Sequence, residues 1–366
     1  MTPAPPLPSA PARTAEPGEG ISVDELALAG RNHALLLEAL RYDVTPPGLH
    51  YVLVHYDVPD LDAASWRLTV DGAVDRARSL DLPALRGYPS VSVPVTMECA
   101  GNGRAHLAPR PVSQPWLDGT VGTAVWTGAR LADVLADAGV RGDAVDVVLQ
   151  GADHGVERGV EQDYARGLPL AEARRPDVLL AYEMNGRPLP PQHGHPVRAV
   201  VPGWYGMTSV KWLTAVHVTP APFDGFQNAV AYRYKKHLDD PGEPVTRIAV
   251  RALMVPPGFP DFGSRRRIVE AGPVELRGRA WSGHGPVTGV EVSSDGGTTW
   301  REASLGPSLG RHAWVGWTAT WLAEPGDHVL SVRARDETGA VQPATTPWNA
   351  QGMGNNSVQH VPVHVR

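Results

Sequence analysis

The residues able to do chemistry collect on one short loop and one glycine-rich stretch. "VTMECAGNGR", residues 95–104, holds Cys99, the only cysteine among 366 residues, ahead of a glycine run that ends in Arg104. One thiol cannot close an intramolecular disulfide or fill a four-cysteine zinc or iron–sulfur site. It is a buried filler, a nucleophile or a single soft ligand for a polarizable metal. His55 and Asp153 stand beside turns, and "HGHPVRAVVPGWYGMTSVKWL" adds His193, His195, Arg198 and Lys211 around short strands and glycines. Four cationic or protonatable side chains so arranged suit a phosphorylated or otherwise anionic ligand. His193 and His195 share a side if extended, which leaves a zinc pair open. Each feature also has a plainer reading: a small buried hydrophobe for Cys99, structural histidines, solvated cations, a turn-forming Asp153. Residue types alone therefore reach an anion-binding pocket with a thiolate candidate.

The positioning elements follow from periodicity. "HYVLVHYDVP" predicts a strand ended by proline, "WRLTVDG" a strand and turn, and "LADVLADAG" a helix closed by glycine. "VDVVLQGAD" and "VRAVVPG" are β-branched runs, and "LPLAEARRPDVLLAYEMNG" predicts a helix broken before Pro176 and an extended segment after it. "KKHLDDPGEPV" carries no periodicity, and beyond it short alternating runs punctuated by Gly, Pro and Asp predict an antiparallel β-sandwich. The expected organisation is a disordered Pro/Ala-rich tail over 1–20, an α+β unit over 21–242 and a sandwich over 243–366.

A formal net charge of -6, with no long Lys or Arg run, argues against nucleic acid as the main partner. No stretch approaches a membrane span, and the first twenty residues lack an apolar signal core and paired arginines. The expectation is a cytoplasmic protein without membrane partners.

The chain resembles the sulfite oxidase family of molybdenum enzymes, which includes the molybdenum domain of eukaryotic nitrate reductases. The resemblance is carried by "VTMECAGNGR", "WTGARLADVLADAG", "LLAYEMNGRPLPPQHGHPVRAVVPG", "VKWL", "VSSDGGTTW", "RARDETGAVQP" and "TPWN", in family order over roughly residues 45–366. It implies a molybdopterin-binding catalytic domain followed by an immunoglobulin-like dimerisation domain, and hence a homodimer. It implies that Cys99 ligates molybdenum, whose remaining sulfurs come from the pterin dithiolene of a plain molybdopterin. His55, Asp153, His193, Arg198 and the backbone of Ser209, Val210 and Lys211 fall on family positions that hold the pterin and its phosphate. Arg104 falls on a substrate arginine, and Tyr232 or Tyr234 on the active-site tyrosine. Tyr232 is preferred for its spacing from Phe226 and Gln227. The implied activity is oxygen-atom transfer, oxidation of sulfite to sulfate by default. No CxxCH haem motif is present, so electrons would leave to an external acceptor such as a cytochrome.

Departures from the family pattern bear on substrate. A family arginine falls on Leu53, and another is expected near Thr318 to Thr320, where no basic residue stands. His55, His106 and Arg110 are the nearby groups that could compensate. Rival readings are reduction of a sulfoxide or other oxo compound, a non-catalytic molybdopterin-binding protein, and a hydrolase using Cys99 with a histidine.

Overall fold

The computed structural model describes residues 12–366, so the expected tail falls partly outside the described residues. Over 12–20 the chain is ordered against its own fold. Thr14 bridges Pro111, the Ala15 amide donates to the Arg110 carbonyl at 2.7 Å, and Arg13 grips Glu19. A segment poor in apolar residues is thus held by backbone pairing, which composition does not register.

Two sheets build the first unit. The first is mixed: Arg78–Leu80, Leu68–Gly72, Leu213–Thr219, Asp146–Glu157 and Val160–Pro169 lie side by side in that order, with Leu68–Gly72 parallel to Leu213–Thr219. Alternation along "LTVDG" sends Leu68 and Val70 fully into the core. Gly72 closes that strand at φ 88°, where a Cβ would lie 2.1 Å from the Val218 carbonyl oxygen. The second sheet pairs Ser90–Glu98, Val121–Arg130 and Leu179–Met184, whose far edge takes Arg198–Val200 along its first half and Arg187–Pro188 at its end. Helix Leu131–Ala138 buries Leu131, Val134, Leu135 and Ala138 on one face, and Gly139 terminates it in the left-handed conformation at φ 72°. The broken helix before Pro176 is Leu170–Ala173, followed by strand Leu179–Met184.

The run "HYVLVHYDVP" is not a strand. It is paired only through a single bridge between His33 and Val52, and His50, Tyr51, Val52, Leu53 and His55 line a cleft. Consecutive residues meet the same cleft, so the segment has no two-faced strand pattern.

The second unit is the expected sandwich. One sheet orders Arg251–Met254, Gly272–Trp281, Val315–Ala323 and Ser304–Ser308; the other orders Phe259–Pro260, Arg267–Val269, Gln359–Val365, Gly326–Asp336, Val287–Ser293 and Arg301–Glu302. Arg267–Val269 runs parallel to Gln359–Val365, the one departure from an antiparallel pattern among these pairings. Trp317, Trp321, Leu330 and Val332 fill the space between the sheets, each fully buried apolar side chain contributing about 1.5–3 kcal/mol. A division at residue 242 falls inside a segment that still belongs to the first unit: Glu243–Pro244 pairs with Arg233–Tyr234, and Trp204 bridges Arg247. No helix among the described residues is long and apolar enough to cross a membrane.

The two units are joined by buried charge. Arg251, 1% exposed on the first sandwich strand, donates to Glu98 Oε1 at 3.0 Å, to Asp118 Oδ1 at 2.6 Å and to the Asn355 carbonyl at 2.7 Å. Removing one partner of a buried pair leaves the other charge uncompensated, a loss of about 3–5 kcal/mol. Arg251→Ala should therefore destabilise the full chain by that amount in chemical denaturation, and adding Glu98→Gln should recover part of it. A change below about 1 kcal/mol would remove this pair as the joint between units.

Candidate functional site

The Cys99 loop begins where strand Ser90–Glu98 ends and turns back on itself. The Cys99 amide donates to the Thr120 carbonyl at 2.9 Å, and the Asn102 and Arg104 amides close successive turns onto the Cys99 and Gly101 carbonyls. Gly103 takes φ 81°, a conformation that disfavours any Cβ. Glu98 fixes the loop from below: Oε1 accepts from Asn102 Nδ2 at 2.8 Å and Oε2 from Trp281 Nε1 at 2.8 Å. Cys99 is 7% exposed and lines an open cleft.

That cleft collects most of the sequence candidates. His55, Cys99, Asp153, His193, Arg198, Ser209, Val210, Lys211 and Tyr232 all line it. Arg198 stacks on Trp126, 4.8 Å from the ring centre, and donates to the His193 and Ser209 carbonyls at 3.2 and 2.7 Å. Lys211 donates to the Leu53 and Gln192 carbonyls at 2.8 and 3.1 Å. Ser209 turns its hydroxyl to the Val201 amide at 3.1 Å, and Val210 offers its carbonyl to the Ala199 amide at 2.8 Å. Both cations are thus held by neutral carbonyls, leaving their charge unneutralised.

Several polar atoms here have no partner. His193 Nε2, His50 Nε2 and Asp153 Oδ1 are buried and unsatisfied, a condition that ordinarily marks a site for a ligand or water. His50 meets His193 edge to face at 5.3 Å. Burial lowers the proton affinity of His193 to about 2, of His50 to about 4 and of His55 to about 3, with the neighbouring cations adding to each. All three imidazoles are neutral near pH 7. Burial also raises Asp153 to about 7 against the pull of Lys211, and lowers Lys211 to about 7 with help from Arg198.

Tyr232 and Tyr234 part company. Tyr232 lines the cleft, its hydroxyl 2.6 Å from His55 Nε2 and its ring 5.4 Å from the Arg166 guanidinium. Tyr234 points away to the loop of the second unit, where a Cβ on Gly354 would lie 2.6 Å from its hydroxyl. Arg104 lies outside the lining of the cleft, folded behind the glycine turn: a Cβ on Gly101 would be 2.7 Å from Nη2, and Nε donates to the Gln351 carbonyl at 3.0 Å. Its charge nevertheless favours the Cys99 thiolate, which burial opposes. His195 stays off the cleft, and among the described residues no group of three or more His, Cys, Asp or Glu is placed to hold a metal ion, so the zinc pair is not built. Leu53 lines the cleft, Thr318 to Thr320 lie in the middle of a sandwich strand, His106 is bound to Asp118 at 3.2 Å and Arg110 to Glu25.

Sequence reasoning missed His50, Tyr164, Glu98, Arg166 and Arg251. His50 opens a run that reads as a strand, and no motif residue beside it points to the cleft. Glu98 was legible only as the residue before Cys99, since its partners come from distant segments.

In protein free of bound ligand, Asp153 should shape stability with pH. Its folded proton affinity lies above the unfolded value, so stability present at low pH is lost as pH rises from about 4 through about 7. Asp153→Asn should accordingly gain melting temperature over wild type progressively across that window and hold a constant gain above it. A gain independent of pH would show that the carboxyl ionises freely.

A family model described as the oxidoreductase molybdopterin binding domain matches residues 55–227, and one described as the Mo-co oxidoreductase dimerisation domain matches 260–366. Sulfite oxidase of Gallus gallus is 37% identical over 85% of this chain and 71% of its own length. Mitochondrial sulfite oxidase of Mus musculus is 36% identical over 88% of this chain and 62% of its own, and nitrate reductase [NADH] 1 of Oryza sativa subsp. japonica is 34% identical over 88% and 38%. The chain thus spans only part of these relatives. The sulfane dehydrogenase SoxCD structure from Paracoccus pantotrophus shares the fold, with a TM-score of 0.78 at 23% identity, covering 96% of each chain. With both units matched in order and identity sustained along most of its length, the chain belongs to the sulfite oxidase family of molybdenum–molybdopterin oxidoreductases.

Proposed function

We propose that this protein is a molybdenum-dependent oxidoreductase that transfers an oxygen atom to sulfite, giving sulfate, with water as the oxygen source and two electrons passed to an external acceptor such as a cytochrome. The observation that carries the reading is the convergence in one cleft of a buried thiol, two cations held only by carbonyls, and unsatisfied polar atoms on His50, His193 and Asp153. Those groups fit molybdopterin. Cys99 offers one soft ligand, Arg198 and Lys211 offer charge to its phosphate, and neutral imidazoles with Asp153 offer donors and acceptors to the pterin ring. When bound, the cofactor supplies the oxygen-transfer and redox chemistry.

The chain's own part is electrostatic and positional. A phosphate brought beside Arg198 and Lys211 replaces the water that burial removed from them, and it raises the proton affinity of Lys211 back towards its ordinary value. Tyr232 keeps its phenolic proton, because burial pushes its pKa well above the ordinary value, and His55 stays neutral. The two meet at 2.6 Å without net charge, and with the imidazole proton on Nε2 the ring donates to the phenolic oxygen and leaves the hydroxyl proton free. From there the Tyr232 hydroxyl can meet a substrate oxygen beside Cys99, and Arg104 adds positive charge behind it. The matched dimerisation model supports a homodimer through the sandwich; light scattering should give twice the chain mass, and a monomer at all concentrations would contradict it.

One observation favours a second substrate class. Leu53 presents an apolar wall to the cleft, which suits a less charged oxo compound such as a sulfoxide, reduced by the same cofactor. With an artificial electron acceptor, metal-replete protein should oxidise sulfite with a high Michaelis constant, and Cys99→Ser should abolish turnover while the fold persists. Each charge-assisted hydrogen bond contributes about 1.5–3 kcal/mol, so Leu53→Arg should lower that constant roughly tenfold. Sulfoxide reduction with an artificial electron donor, without any sulfite oxidation, would select the second class, and full activity of Cys99→Ser would sink both.

A further inference from the structure

Strand Val160–Pro169 buries a cation against the Tyr232 ring. Arg166 is 2% exposed and stands two residues from Tyr164, on the same side of the strand. Both side chains reach the pair formed by His55 and Tyr232: the Tyr164 ring lies 4.7 Å from the His55 ring, and the Arg166 guanidinium lies over the Tyr232 ring, 5.4 Å from its centre. One strand face thus backs both members of the pair.

Arg166 also grips the chain on either side of Tyr232. Nη1 donates to the Gln227 carbonyl, at the start of the turn Gln227–Ala231 that leads into Tyr232. Nη2 donates at 3.1 Å to the carbonyl of Val245, whose own amide donates to the Tyr232 carbonyl at 3.1 Å. The turn is a single widened, π-type turn of helix, a form that gathers at functional sites. Asn228 clips it to the next residue of the same strand, accepting from the Gly167 amide at 3.1 Å and donating to the Gly167 carbonyl at 3.2 Å. A neutral side chain therefore suffices to brace the turn. The charge of Arg166 exceeds that need: its bonds go to carbonyls, Nε is buried without a partner, and no carboxylate among the described residues forms an ion pair with it. A buried guanidinium so placed costs stability, and the electron-rich surface it meets is the face of Tyr232. A cation there draws electron density from the phenol, and with the imidazole proton on His55 Nε2 the hydroxyl proton is free for a ligand in the cleft.

We propose that Arg166 is a positioning residue that acts through Tyr232, fixing the ring against the cleft and making its hydroxyl a stronger donor to an oxyanion. This rests on reading the cleft as a site for an oxyanion. Leu53 leaves the lining short of a cation, and Arg166 supplies positive potential from behind the tyrosine.

The test uses molybdenum-replete protein and reads two quantities, the dissociation constant of sulfate by calorimetry and the KM for sulfite. Arg166→Met should weaken sulfate about tenfold and raise KM by a similar factor, the value of one desolvated charge acting across a ring. Arg166→Lys keeps the charge and should recover most of that loss. In a Tyr232→Phe background, Arg166→Met should change sulfate affinity by less than about twofold, because the hydroxyl it acts through is gone. Wild-type sulfate affinity in Arg166→Met, or the same loss with and without the Tyr232 hydroxyl, would overturn the proposal. Should Arg166→Met not fold, Arg166→Gln takes its place, and sulfate affinity equal to that of Arg166→Lys would overturn the proposal in the same way. A wild type that binds no sulfate would remove this inference together with the oxyanion reading. If sulfate shows the expected pattern while the wild type does not oxidise sulfite, the proposed reaction fails and the role of Arg166 stands.

Discussion

The structure depends on the buried contact of Glu98 with Arg251. Glu98 is the last residue of strand Ser90–Glu98 and precedes Cys99, and Arg251 belongs to the first strand of the second unit. Burial pushes the Glu98 carboxyl up, and Arg251, Trp281 and Asn102 oppose that push. The same carboxylate holds Asn102, whose side-chain oxygen in turn accepts from the Thr120 amide and hydroxyl at 3.1 and 2.7 Å. Asn355 of the sandwich donates to the Gly103 carbonyl at 2.7 Å. The thiol loop is therefore set by both units together. A sandwich that served assembly alone would not need to reach it.

A second constraint is the burial of charge at the cleft. Arg198 and Lys211 are costly to bury, and neutral carbonyls offset that only in part. Three imidazoles driven neutral and an aspartate driven towards neutrality show a site whose polar groups await a ligand more polar than the protein that encloses them. An anionic ligand would turn each of these penalties into an interaction, so the fold holds charge ready at a stability cost that binding offsets.

Much of this was legible from residue order. The helix ending at Gly139, the broken helix before Pro176 and the alternating runs of the sandwich all follow from local periodicity, and those signals survive because one face of each element is buried. Cys99, His193, Arg198 and Lys211 stand out by type, and they meet in one cleft, from which His195 is left out. The failures have a common cause. The segment 50–59 is rich in β-branched and aromatic residues because it lines a cleft, where consecutive side chains are covered without sheet pairing. Residues 12–20 are ordered by backbone bridges that leave no trace in composition. Arg251 and Glu98 are 153 residues apart; nothing local announces the pair.

The central claim is that Cys99 is the single protein ligand of a molybdenum held by a pterin dithiolene. X-ray absorption at the molybdenum edge of the purified full chain counts sulfur neighbours directly. The account predicts about three in the wild type, one from Cys99 and two from the dithiolene, and about two in Cys99→Ser at unchanged pterin content. An equal sulfur count in both proteins, or a wild type that binds the pterin but no molybdenum, would contradict it.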